Sequence, residues 1–194
     1  MIVELRRYLL RAGRRDELIG LFDREFVETQ EELGMAVLGQ FRDLDRPDQF
    51  VWLRGFPDMA SRRAGLTAFY TGPVWAKHGP DANATMLDSD NVLLLREILP
   101  VPVFDRGHAD PASILHATIW YWPGPFPDPA DHPATTVAVL RTEYAENDYP
   151  ALPVREGEHA LVWLARSPLR AAAPATVTRT EHLRLSPTRR SSLH

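Results

Sequence analysis

The sequence contains no cysteine, and among its 22 basic residues there is a single lysine, Lys77. Without cysteine it can form no disulfide, thiolate nucleophile, iron–sulfur cluster or Cys-ligated zinc site. No apolar run approaches the length of a membrane span, and the opening stretch is interrupted by Glu4, Arg6 and Arg7. Neither a transmembrane segment nor a secretory leader is therefore read, and a cytoplasmic location without membrane partners is expected. Also missing are a Gly-rich phosphate loop, G-x-S-x-G, HExxH and a dinucleotide fingerprint. The net charge of −4 leaves no basic excess, and basic and aromatic residues do not interleave along a strand, which argues against a nucleic-acid partner.

What is there is ordinary globular composition: 194 residues, 44% hydrophobic and 25% charged. A chain of this length buries roughly 70% of its unfolded surface, so a core is available without covalent staples. The arginines are the conspicuous surplus. Their planar forks bind carboxylates and other anions bidentately, so their positions decide whether they matter.

Hydrophobic periodicity divides the chain into two unequal copies. Residues 2–10 alternate as a strand, with Val3, Leu5 and Leu9 against Glu4, Arg6 and Tyr8. A helix follows over about 14–33, with Leu18, Phe22, Phe26 and Leu33 on one stripe and Gly34 as its stop. Strands over 35–43 and 50–55, a helix over 59–70, a loop through Trp75 and His78, and a strand over 92–98 complete a β-α-β-β-α-β unit of the ferredoxin-like kind, residues 1–99. Prolines 100, 102 and 111 mark a linker over 100–111.

Residues 112–186 repeat the pattern in degraded form. Leu161-Val162-Trp163-Leu164 echoes Phe50-Val51-Trp52-Leu53, and His182-Leu183-Arg184 echoes Leu94-Leu95-Arg96. The opening strand corresponds to 113–122, the first helix to about 133–146, and the second helix shrinks to 170–176. The proline-rich insertion 123–129 cannot be helical, and 187–194 reads as a surface tail or strap. The expected fold class is α+β: two tandem ferredoxin-like units, their sheets face to face as an eight-stranded barrel with helices outside and a degenerate second copy.

Several short motifs carry a family resemblance. Glu4-Leu5-Arg6-Arg7-Tyr8 with Ala12-Gly13, then Tyr70-Thr71-Gly72-Pro73-Val74-Trp75 ahead of Asn91-Val92-Leu93-Leu94-Leu95, resemble the NIPSNAP family. The ending Arg184-Leu185-Ser186-Pro187-Thr188-Arg189-Arg190-Ser191 looks like the family's second-copy terminus. The resemblance implies a dimeric α/β barrel, a superfamily that also holds cofactor-free monooxygenases and haem-handling proteins. A homodimer is compatible with it, but it transfers no catalytic set.

Strand alternation sorts the candidate site independently of the family. If Val3, Leu5, Val51, Leu53, Val162 and Leu164 face the helices, then Glu4, Arg6, Tyr8, Trp52, Arg54, Arg96, His116, Trp163, His182 and Arg184 face the barrel interior. Charges there would either form an internal network such as Glu4–Arg6–Arg96 or line a wetted pocket. On the pocket reading, His116 or His182 moves a proton and Arg6 stabilises developing negative charge. Glu4, Tyr8, Trp52, Arg54, Trp75, Arg96, Trp163 and Arg184 then hold an aromatic or anionic molecule. Cofactor-free oxygenation or isomerisation through an enolate fits those parts. No cofactor and no metal is expected, since two histidines lack a third ligand, and haem or metal binding is the weakest alternative. A non-catalytic binding or assembly protein is the other reading.

Overall fold

The computed structural model describes residues 1–129, 131–169 and 172–194. Strand β1 (Ile2–Leu10) leads into helix α1 (Arg15–Leu21), which continues through one π-helical turn (Phe22–Phe26) into α2 (Val27–Glu32). Gly34, at φ +80°, ends this helix in the left-handed conformation that glycine adopts without a Cβ clash. Strands β2 (Ala36–Asp43) and β3 (Gln49–Phe56) form a hairpin, and α3 (Met59–Tyr70) starts at Asp58, whose carboxylate accepts from the Ser61 amide at 2.7 Å. The stretch through Trp75 and His78 is a helix, α4 (Pro73–Thr85), rather than a loop. Pro73 at its first turn suits a helix start, and the interior Pro80 is what disguises it in the sequence. Short β4 (Met86–Asp88) and β5 (Val92–Leu99) close the first copy.

The second copy keeps its four strands: β6 (Leu115–Trp122), β7 (Thr136–Thr142), β8 (His159–Ala165) and β9 (Arg179–Pro187). The helix expected near 133–146 is in fact β7, in keeping with the β-rich alternation of Thr136-Val137-Ala138-Val139-Leu140. Of the helix expected at 170–176, residues 170 and 171 lie outside the described residues, and 172–176 form no helix.

All pairings are antiparallel, in the order β3-β2-β9-β6-β8-β7-β5-β1, and β1 pairs again with β3. Eight strands thus close into a barrel, with β4 appended to β1. Each copy preserves the ferredoxin-like order, its fourth strand beside its first, and the seams are β2 with β9 and β5 with β7.

The facing of the strands is the reverse of the expected one. One apolar cluster draws Val3, Leu5, Phe41, Val51, Leu53, Leu93 and Leu95 from the first copy together with Ala117, Ile119, Leu140, Val162, Leu164, Leu183 and Leu185 from the second. Among the described residues it draws on all eight barrel strands and packs the interior, in place of the wetted pocket expected between the sheets. Val101 and Leu193 join the same cluster from the linker and the tail. The tail is a strap bound along β2, with Thr188 and Leu193 amides donating to the Gln40 and Leu38 carbonyls. The alternate residues face outward. In the first copy they meet the helices; in the second, Trp120, Val139, Leu161 and Trp163 are covered by Phe126 of the proline-rich segment instead. Among the described residues, no helix is long and apolar enough to cross a membrane.

Candidate functional site

Because the outward face of β1 and β3 lies under helices, its polar residues are buried and must find partners there. Glu4, Arg6, Arg54 and Arg62 are all at most 1% exposed. One Glu4 oxygen accepts from Arg6 Nη1 at 2.8 Å and from Arg54 Nη2 at 2.7 Å, and the other accepts from Arg62 Nε at 2.8 Å. Arg54 Nη1 donates to the Gln30 side-chain oxygen at 3.0 Å, and the Gln30 amide donates to the Phe26 carbonyl at the end of the π turn. Arg62 Nη1 donates to Asp148 at 2.6 Å and to Asn147 at 3.1 Å, both from the second copy's β7–β8 segment. Burial on its own would raise the Glu4 carboxyl, but Arg54, then Arg6 and Arg62, outweigh it and hold the group well below the usual carboxylate range.

Beside this cluster lies a small, partly open aromatic cavity. Tyr8 and Trp52 form its floor from the sheet, Phe22 and Phe26 reach it from the π turn, and Phe69, Tyr70 and Trp75 come from α3 and α4. The space measures about 20 Å³, room for roughly one water. A ring can enter only if a wall side chain moves. A π turn shifts one helical register and is common at functional sites; here it brings both Phe22 and Phe26 to the cavity. The rings pack edge to face, Phe22 on Trp52 at 4.7 Å and Tyr70 on Trp75 at 4.6 Å. Trp52 separates the cavity from the charges, with the Arg54 guanidinium 5.0 Å and that of Arg6 5.7 Å from its ring centre.

Tyr8 and Gln30 are polar groups shared by both features. The Tyr8 hydroxyl oxygen accepts from Arg6 Nε at 2.9 Å, which leaves its own proton available to an oxygen in the cavity. Burial pushes the Tyr8 phenol above its ordinary value, against the opposing pull of Arg6, so it stays protonated at neutral pH.

The structure thus brings Glu4, Arg6, Tyr8, Trp52, Arg54 and Trp75 together and separates the remaining candidates. Arg96 is exposed on β5 and takes no part in the Glu4 network. His116 and His182 lie on adjacent strands of the second copy, His182 opposite Thr118 and His116 opposite Arg184. They sit on the outer face, His182 exposed and 3.2 Å from the Thr118 hydroxyl. Burial, then Arg184, lowers the His116 pKa. Arg184 is exposed and pairs with Asp45 at 3.0 Å. Trp163 lines a separate groove of about 250 Å³ with Trp120, Trp122 and Phe126. Among the described residues no three His, Asp or Glu side chains are placed to hold a metal.

Sequence reasoning missed Arg62, Gln30 and Asp148. Arg62 had a signal: it shares a helical stripe with Leu66 and Phe69, four and seven positions on, and all three are buried.

Gly79 tests how tightly the cavity wall is built. A Cβ there would lie 2.7 Å from the Trp75 indole, which is held by Phe26, Phe69 and Tyr70. Gly79→Ala should gain up to about 1 kcal/mol of helix propensity yet lower the melting temperature, because the Trp75 ring must shift out of its packing against Phe26, Phe69 and Tyr70. A net rise would show that the wall yields.

The closed sheet and its sheet-to-helix cavity define a dimeric-α/β-barrel protein whose two halves are joined in one chain. Residues 3–97, the first copy, match the NIPSNAP family model. Over its whole length it is similar to a candidate monooxygenase from Lactobacillus acidophilus NCFM, at 10% identity and TM-score 0.59, covering 96% of this chain and 93% of that one. A candidate monooxygenase from Fusobacterium nucleatum is similar at 8% identity and TM-score 0.58, covering 96% and 91%. Likeness at such identities establishes the fold alone. A NIPSNAP domain protein from Burkholderia xenovorans aligns at 19% identity and TM-score 0.46, covering 52% of this chain and 99% of that one. No curated protein matches the chain.

Proposed function

We propose that the first copy binds one planar aromatic molecule between its sheet and its helices, and that the second copy is a structural half without a site of its own. The observation that carries this reading is the narrow space walled by seven aromatic side chains, Tyr8 with its Arg6 partner among them. A few convergent polar groups in an aromatic pocket describe small-molecule sites generally. Among the described residues the helices that build the walls lie in the first copy, so one ligand per chain is expected.

The chemistry available there is stabilisation of a substrate oxyanion. Tyr8 donates its proton to a phenolate or enolate oxygen, and Arg6, donating to the Tyr8 oxygen, supports the charge that develops. Cofactor-independent oxygenation and enolate isomerisation both pass through such an anion. The whole-chain likeness to candidate monooxygenases supports the first of these, through fold alone. A cytoplasmic setting and a homodimer formed through the outer surface belong to this proposal. The barrel needs no second chain to close.

Titrating the protein with phenol, benzamide and 1-naphthol, followed by tryptophan fluorescence and calorimetry, tests the reading. One site per chain is expected. Trp75→Ala should weaken binding at least tenfold, while Trp163→Ala leaves it unchanged. Two sites per chain, or indifference to Trp75, would refute it. Saturation at a hundred times Kd should raise stability by about 2.7 kcal/mol.

A further inference from the structure

Three arginines surround the site, and one of them is incompletely satisfied. Arg62 is fully buried, gives Nε to Glu4 and Nη1 to Asp148 and Asn147, and leaves Nη2 without a partner. A guanidinium fork is made for two parallel bonds to one carboxylate. Asp148 instead makes a single contact, and its side chain is 24% exposed, at the edge of a shallow surface depression beside Ala64 and Thr67. A buried cation is therefore held by a carboxylate that can leave to solvent.

The neighbouring residue links this contact to the cavity. Tyr149 stacks on Tyr70 at 6.2 Å and 25°, and Tyr70 is a cavity wall. Leu152 and Val154 pack against the same apolar layer. The β7–β8 segment of the second copy thus covers Arg62 and backs the Tyr70 wall at once. Since the cavity as it stands holds about one water, admitting a ring requires some wall to open, and this segment is held by a polar anchor that reaches solvent.

We propose that Asp148 is an internal stand-in for the ligand's own anion: an aromatic carboxylate displaces it from Arg62, takes the free Nη2 as well, and moves Tyr149 off the Tyr70 wall. This rests on the aromatic-cavity reading and adds the ligand's charge. The exchange keeps the charge count constant, three arginines against Glu4 and one further carboxylate. A neutral ring would either leave Asp148 in place or strand a buried positive charge.

The test compares benzoate with benzamide by calorimetry on the full-length protein and on Asp148→Asn and Asp148→Ala, with thermal melts to verify folding. A ligand that must compete with a closed latch has its affinity reduced by the fraction of time the site is free. Benzoate should therefore bind both variants at least tenfold more tightly than the parent, while benzamide changes less than threefold. Equal tightening of both ligands would mean that Asp148 only holds a loop, and unchanged or weaker benzoate binding would mean that it occupies no ligand position. Either result overturns the proposal while leaving the cavity reading intact. Failure of benzamide, phenol and 1-naphthol to bind any form, with benzoate also silent, would overturn both.

Discussion

Replacing Glu4 by Gln is expected to destabilise the protein by about 3–5 kcal/mol at pH 7, measured by urea denaturation. Glu4 is fully buried and is the common acceptor of Arg6, Arg54 and Arg62, so its neutral analogue leaves three buried guanidinium groups facing one another. Removing one partner of a buried pair costs far more than the pair contributes, because the survivors keep their desolvation penalty. The pH dependence has a definite sign. The Glu4 pKa is depressed in the folded state, so its contribution is present above its unfolded value of about 4.5 and is lost as pH falls below that. Other paired carboxylates titrate in the same direction, Glu181 and Glu28 among them, so the informative quantity is the gap between the parent and Glu4→Gln. That gap should narrow steadily as pH falls below 4.5. A cost under 1 kcal/mol at pH 7 would mean that water reaches the cluster and the charges are separately solvated.

The order of strands and helices in the first copy could be read from periodicity, and so could the echo of β3 in β8 and of β5 in β9. The facing of the strands could not. Alternation divides β1 into Val3 and Leu5 against Glu4, Arg6 and Tyr8, but both faces are buried, so polarity does not mark solvent. What decides is the cover each face receives. An opposing sheet offers Ile119, Val162 and Leu183, which can answer only apolar neighbours. Helices bring Gln30 and Arg62, which can answer a carboxylate and a guanidinium. The same reasoning explains why Trp163 and His182 lie apart from Trp52. The repeat places them on equivalent faces, but the described residues of the second copy form no helices that would make a cavity over them. Treating the repeat as complete also turned β7 into a helix, although Thr136-Val137-Ala138-Val139 has the alternation of a strand. The π turn left no signal in the sequence, since Phe22 and Phe26 suit an ordinary helical stripe equally well.

Two neighbouring residues on β9 should respond oppositely to the same change. Leu183 is 1% exposed and belongs to the barrel interior, whereas His182, one step along, is exposed on the outer face. Leu183→Asp places a carboxylate in the interior cluster with Leu5 and Val162, which among the described residues is apolar except for Tyr121, whose hydroxyl is already engaged by Arg155. Transfer of an ion into such a setting costs several kcal/mol even after relaxation, a large share of the 5–15 kcal/mol that stabilises a typical domain. Circular dichroism at pH 7 should show a chain without a cooperative thermal transition, or one melting far below the parent. Lowering the pH should partly restore the transition, because the introduced carboxyl can then enter the barrel neutral. His182→Asp should change stability by no more than about 0.5 kcal/mol, the usual range for an exposed position, since water can replace its contact with the Thr118 hydroxyl. Were the strands turned the other way, with His182 inside, the two outcomes would exchange places. The pair of variants therefore tests the orientation on which the position of the cavity depends.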